Sequence, residues 1–152
     1  MPVSVLIVCL GNICRSPIGE AVLRHVAKER GIKITVDSAG TSNYHIGESP
    51  DDRAVSICLK FDVRIHHAAR QVSTEDFRSF THILAADEAN LRNLHRSKPR
   101  DSTAVVRLWG SYLDNPEPIA DPYYGGIDGF EEVFQQCVRL SHAFLDEVIG
   151  KE

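Results

Sequence analysis

Apolar and polar positions change rhythm several times along the chain, and each change marks an element. Residues 3–10, VSVLIVCL, are apolar almost without a break and rich in β-branched side chains, the pattern of a strand covered on both faces. Ser16-Pro17 then signals a helix start, with Ser16 as N-cap and Pro17 in the first helical position. Ile18, Ala21, Val22, His25 and Val26 keep a helical stripe until Gly31 stops it. IKITV (32–36) is expected as a second strand, followed by a loop of turn formers, DSAGTSNYHIGESPDD, and a helix through Ala54, Val55, Ile57 and Cys58. THILAAD (81–87) predicts a third strand, EANLRNLHR a helix, and TAVVRLW (103–109) a fourth strand. Phe130, Val133, Phe134, Cys137, Leu140, Ser141, Phe144, Leu145 and Val148 mark one face of a long last helix. Strands alternating with helices at crossover spacing predict an α/β fold: a single domain over residues 1–152, with a doubly wound, four-stranded parallel sheet and helices on both faces. Ligands of such sheets bind outside the carboxyl ends of the strands, near the point where the winding reverses.

Composition changes this picture little. The chain has 152 residues, 43% hydrophobic and 25% charged, with a net charge of -4 and no long basic run, so nucleic acid is not an expected partner. The run Val3 to Leu10 is too short for a membrane span and lacks the flanks of a signal peptide. The expectation is a cytoplasmic protein with no membrane insertion. Cys9, Cys14, Cys58 and Cys137 are too scattered for a disulfide scaffold and contain no C-x-x-C pair, so free thiols are expected.

The chemistry concentrates in VCLGNICRSP (8–17), at the carboxyl end of the first strand and the start of the first helix. Backbone amides there can converge on one point, and the helix adds partial positive charge. Gly11 allows positive φ, and Asn12 tolerates it better than most residues. Arg15 offers a planar fork for two phosphate oxygens. Cys9 sits at the start of this cradle, where amides, a helix N-terminus and a guanidinium favour the thiolate. Ser16 can donate a hydrogen bond to the sulfur. The loop lacks the Gly-Lys-Ser/Thr of a nucleotide P-loop and the G-x-G-x-x-G of a dinucleotide site. From spacing alone, a buried strand cysteine and a solvated arginine remain an alternative. Expelling an alcohol from phosphate also needs a proton donor. ADPYYGG (120–126) offers Asp121 in a turn beside Tyr123 and Tyr124, although a plain Asp-Pro turn would read the same.

Taken together, VCLGNICRSP, DSAGTS, HAARQVS and DPYYGG resemble the low-molecular-weight protein tyrosine phosphatases, over nearly the whole chain. The resemblance implies a metal-independent phosphoric monoester hydrolase with no cofactor, acting on phosphotyrosine proteins and small aryl phosphates through a cysteinyl phosphate. It implies Cys9 as nucleophile and Arg15 as phosphate ligand, with the amides of Leu10, Gly11, Asn12, Ile13, Cys14 and Arg15 as the cradle for phosphate or another oxyanion. It implies Asp121 as general acid and then base. Asn12, Ser16, Ser38 and His67 match a network that holds the loop. Cys14 matches a second loop cysteine able to form a reversible disulfide with the nucleophile, and is equally readable as a small core residue. Ile13, Tyr44, Tyr123 and Tyr124 are expected as pocket walls. Relatives acting on phosphoarginine carry threonine where this chain has Ile13, which leans towards phosphotyrosine. Asp87 is read as the N-cap of the following helix, with orientation of Arg15 as the alternative.

Two other functions share the fold or the loop. An arsenate reductase would need a closely spaced downstream cysteine pair, whereas Cys58 and Cys137 are far apart in sequence. A non-catalytic phosphotyrosine-binding module would have no need of Cys9 and Asp121.

Overall fold

Alternation along β1 (Ser4–Cys9) divides the interior in two. Val5, Ile7 and Cys9 join one apolar cluster, and Leu6 and Val8 another, as successive side chains of a strand must point to opposite faces. The computed structural model describes residues 2–150. After β1 come α1 (Arg15–Glu29), β2 (Thr35–Gly40), α2 (Asp52–Lys60), a short α3 (Asp76–Ser79), β3 (His82–Ala85), α4 (Glu88–Ser97), β4 (Val105–Leu108), a 3₁₀ turn (Trp109–Tyr112) and α5 (Ile127–Val148). The strands form one sheet in the order β2-β1-β3-β4, and every pairing is parallel.

Helices cover both faces, so the expected doubly wound architecture is borne out. Val22 and Leu23 of α1, Ile57 of α2 and Phe130, Phe134 and Phe144 of α5 pack with Val5 and Ile7. Phe77 of α3 and Leu94 of α4 pack with Leu6 and Val8. Trp109, Phe77, Phe130 and Phe144 are fully buried, and each phenylalanine contributes about 1.5–3 kcal/mol of transfer free energy. β2 joins one edge of β1 and β3 the other. Winding therefore reverses at β1, and its carboxyl end is the crevice where a ligand is expected.

Three local readings change. β2 starts at Thr35 rather than Ile32 and runs on to Gly40, because its polar residues are held by partners from elsewhere: Ser38, with no solvent exposure, bonds to Asn12 and Glu20. Ser16 is not the N-cap of α1. Helical geometry begins at Arg15 after Cys14, and no side chain caps it; the Ser16 hydroxyl is turned to the Cys9 sulfur instead. α3 and the 3₁₀ turn were not expected, being too short to show a period. Gly31 does end α1, with φ +69.

Candidate active site

The loop between β1 and α1 curls because Asn12 adopts a left-handed conformation, φ 59, which costs a non-glycine residue about 1–2 kcal/mol. Gly11 is not in that region. Its missing side chain serves another purpose, since a Cβ there would lie 2.9 Å from His45 Cδ2. Asn12 is held by its side chain. Oδ1 accepts from the Arg70 backbone N–H at 3.0 Å and from His67 Nε2 at 2.7 Å. Nδ2 donates to Ser16 Oγ at 2.8 Å and to Ser38 Oγ at 3.0 Å.

Beneath this lies a residue the sequence reading missed. Glu20, buried in α1, accepts from Ser38 Oγ at 2.7 Å and Arg24 Nη2 at 2.7 Å, and its Oε1 lies 3.1 Å from His67 Nδ1. Burial opposes ionisation of its carboxyl, but hydrogen bonds from His67, Ser38 and Arg24 outweigh it and hold the group below its ordinary range. His67 thus spans the network, with Nε2 against Asn12 Oδ1 and Nδ1 against Glu20. Glu20 was legible only as an acid four residues before Arg24 in α1; Ser38 and His67 lie 18 or more residues away.

Cys9 Sγ lies 2.9 Å from Ser16 Oγ and accepts the Asn12 N–H at 3.3 Å. Among the described residues, Asn12 is the one amide of residues 10–15 that donates within the protein to the sulfur. Arg15 is 3% exposed. Its Nη1 donates to Asp87 Oδ2 at 2.7 Å and to the Ile119 carbonyl at 2.9 Å, and its Nη2 lies 3.6 Å from Asp121 Oδ2. Asp87 does both jobs read for it: Oδ1 caps α4 by accepting from the Asn90 N–H at 2.8 Å, while Oδ2 orients Arg15.

A pocket of about 140 Å³ opens above the loop. Cys9, Leu10, Gly11, Ile13, Cys14 and Arg15 form its base and flank, and Tyr44, Asp121, Tyr123 and Tyr124 its rim. Asn12, Ser16, Ser38 and His67 lie behind it, in the network. Tyr44 and Tyr124 are 70% and 92% exposed, so as walls they meet a ligand only at the mouth. Tyr123 and Tyr124 pack edge to face, centroids 4.9 Å apart. Asp121 Oδ1 accepts the Tyr123 N–H at 3.1 Å, which closes the turn.

Two further residues were not singled out from sequence. His45 lines the pocket, with Nδ1 3.1 Å from Glu48 Oε2. Arg53 pairs with Asp51 and donates to the carbonyls of Tyr123 and Gly125, both at 2.9 Å, which straps the Asp121 loop to α2. Nothing but the fold brings them there.

Burial first, then the charges of Asp51, Cys9 and Asp121, push the Cys14 thiol up to about 12. Cys58 and Cys137 are fully buried in the first core cluster, away from the pocket lining. Among the described residues, Glu20, Asp37 and His67 are the group able to offer three metal-ligand atoms within 4.8 Å of one another. Each is already engaged: Glu20 by Ser38, His67 by Asn12 and Asp37 by Arg70.

Comparison with known proteins gives a consistent answer. The family model described as low molecular weight phosphotyrosine protein phosphatase matches residues 4–152. A human low molecular weight phosphotyrosine protein phosphatase is 48% identical over 149 residues, covering 95% of this chain and 94% of the relative. The crystal structure of Primo-1 superposes with a TM-score of 0.93 at 39% identity, covering 97% of this chain and 99% of that one. That of DARP, a Drosophila arginine phosphatase, superposes with a TM-score of 0.91 at 33% identity, covering 97% and 99%.

Proposed function

The chain belongs to the low molecular weight phosphotyrosine protein phosphatase family, and from that premise we propose that it hydrolyses phosphotyrosine in proteins, and small aryl phosphates, through a phosphocysteine. One observation carries the reading: the Cys9 sulfur accepts the Asn12 N–H and lies 2.9 Å from the Ser16 hydroxyl, at the base of a pocket whose rim carries Asp121 beside Arg15.

In the first step the Cys9 thiolate attacks phosphorus while the P–O(aryl) bond breaks in line. The non-bridging oxygens rest on loop amides and on the Arg15 fork, held planar to them by Asp87 and the Ile119 carbonyl. Asp121 gives its proton to the departing phenolate oxygen. In the second step Asp121, now a carboxylate, takes a proton from the water that attacks phosphorus. The S–P bond breaks, phosphate leaves, and the Ser16 hydroxyl steadies the returning thiolate. No step calls on a metal or a cofactor. Cys14, held as a neutral thiol by burial, takes no part in turnover.

Ile13 favours phosphotyrosine over phosphoarginine, as an apolar wall for an aromatic ring. The neighbouring arginine phosphatase makes phosphoarginine the competitor to test. The arsenate reductase reading is not favoured, because Cys58 and Cys137 are sealed in the core away from the pocket. Among the described residues, no helix is long and apolar enough to cross a membrane, and we place the enzyme in the cytoplasm. The test is phosphate release from a small aryl phosphate and from phosphotyrosine, phosphoserine and phosphoarginine peptides. Phosphotyrosine is expected to be preferred, Cys9→Ser to abolish turnover, and Asp121→Ala to slow substrates with poor leaving groups most. An active Cys9→Ser enzyme refutes the nucleophile.

A further inference from the structure

Beside the catalytic pocket runs a second, shallower groove of about 480 Å³. Leu10 and Tyr44 line both and form the ridge between them. The catalytic pocket is small, about 140 Å³, against roughly 300–1,000 Å³ for sites that enclose a drug-sized ligand. It has room for a ring and its phosphate, and a polypeptide that carries the ring must continue outside it. The far wall is the last turn of α4, with Asn93, Arg96 and Ser97. Among the described residues, Arg96 is the charged one in the lining, and none of the lining residues is a carboxylate. The Thr41 hydroxyl in its wall has no hydrogen-bond partner among the described residues.

The charge extends beyond Arg96. Between Glu88 and Asp101 the chain carries Arg92, His95, Arg96, Lys98 and Arg100 and no acid. Among the described residues none of these pairs with a carboxylate, whereas Arg15, Arg24, Arg53, Arg70, Arg78, Arg107 and Arg139 all do. Arg96 donates to the Asn93 side chain, at 2.6 Å, which leaves the rest of its fork available. In a chain of net charge -4, this is a local positive field next to the active site, of the kind that steers anions.

Resting on the phosphatase reading, we propose that this groove and the basic end of α4 bind an acidic segment of the substrate polypeptide adjoining the phosphotyrosine, with its carboxylates on Arg96 and Arg92. Continuity with the catalytic pocket selects a substrate peptide as the occupant. The unneutralised guanidinium groups select an acidic one.

The test measures kcat/KM for phosphotyrosine peptides of equal length carrying three Glu, three Ser or three Lys, on either side of the phosphotyrosine. A small aryl phosphate is the control. The wild type is expected to favour the Glu peptide over the Ser peptide about five- to tenfold on one flank, mostly through KM, and to lose most of that preference in 0.5 M salt. Arg96→Glu abolishes or inverts the preference, Arg96→Gln falls between, and all three enzymes turn over the aryl phosphate alike. Equal kcat/KM on Glu, Ser and Lys peptides overturns the proposal. So does an Arg96→Glu loss that is the same on the aryl phosphate, or one seen only as lost binding to RNA or to anionic vesicles with peptide preference intact. A wild type inert on the aryl phosphate refutes the phosphatase reading instead, and so the two failures are told apart.

Discussion

Replacing Glu20 by Gln separates the network under the loop from the loop itself. The size of the effect follows from who loses what. Arg24 is half exposed, so its share is small. The Ser38 hydroxyl can donate to an amide oxygen as it does to the carboxylate. The loss therefore falls on His67, whose side chain is 8% exposed and whose Nδ1 faces Glu20 at 3.1 Å. Losing a buried hydrogen bond to a charged carboxylate costs about 1.5–3 kcal/mol. Gln retains a dipole, and Asp37 Oδ1 remains 3.7 Å from the ring, which puts the cost at the lower end, about 1.5 kcal/mol. For a domain of 152 residues, a Tm fall of about 3–6 °C follows. The pH dependence has a definite sign. The carboxyl is held below its ordinary value of 4.5 in the fold, so the unfolded chain takes up protons first on acidification. The group stabilises fully above about pH 4.5, and that contribution is lost as pH falls through the folded pKa. Gln removes this acid limb. Activity falls as well, because His67 and Ser38 hold Asn12: about tenfold to hundredfold in kcat/KM on an aryl phosphate, well below Tm. Calorimetry at pH 7 and pH 4, with kinetics at 25 °C, decides it. An unchanged Tm refutes the energetic argument. A lowered Tm with wild-type kcat/KM refutes the link from Glu20 to the loop.

Three further outcomes can be stated. Gly40→Ala would place a Cβ 2.7 Å from the Leu10 carbonyl oxygen and 3.2 Å from the Gly11 carbonyl carbon; urea melts are expected to show about 1–3 kcal/mol of lost stability and kinetics a loss on the order of a hundredfold, and full activity would contradict the close approach. Asp87→Asn keeps a good N-cap for α4 but weakens the hold on Arg15; kcat/KM should drop about tenfold and inhibition by inorganic phosphate should weaken, with Tm nearly unchanged, whereas a large Tm fall with intact kinetics would make Asp87 only a cap. Burial raises Cys14 and Cys58 from 9.0 to about 12, so the neutral thiols stabilise fully below about pH 9 and that stability drains as pH climbs towards 12; Cys58→Ala should flatten the alkaline limb of a denaturation series, and an unchanged limb would count against it.

What the chain made legible in sequence is what depends on neighbours in sequence. β1 and α5 carry their periods openly, and Cys9 and Arg15 are bound to one loop by spacing alone. Asp121 beside its tyrosines read equally as a plain Asp-Pro turn, and only the family resemblance singled it out. β2 was displaced because Asp37, Ser38 and Gly40 are poor strand formers, kept there by pairing with β1 and by the network beneath the loop. Glu20, Arg53 and His45 were invisible for a related reason. Arg53 meets Gly125 at a separation of 72 residues, and no local pattern records such a meeting. Gly11 was expected to supply positive φ, and Asn12 alone does so. The glycine gives room for the His45 ring, a requirement set by a loop more than thirty residues away.

The direction of the hydrogen bonds under the loop is set by a donor that cannot reverse. The Arg70 backbone N–H must donate, so the Asn12 atom facing it must be the carbonyl oxygen. Asn12 Nδ2 then donates to both serines. Each serine oxygen, having accepted one proton, has its own to place: Ser38 gives it to Glu20, and Ser16 has the Cys9 sulfur at 2.9 Å and the Ala39 carbonyl at 3.5 Å. With Cys9 as the thiolate of the proposed mechanism, which cannot donate, the Ser16 O–H is the donor in their 2.9 Å contact. On the proposed mechanism this assigns the work between two groups of residues. The sulfur is met by the Asn12 N–H and the Ser16 hydroxyl and uses no histidine as base in that mechanism, in which the proton moved at the mouth belongs to Asp121. His67 is therefore a support for the loop, holding Asn12 in place, although a histidine so near a nucleophilic cysteine invites the opposite reading. His67→Asn should act through stability and loop position, leaving the shape of the pH–rate profile intact. A profile that loses one limb in that variant would show the imidazole moving a proton in the reaction after all.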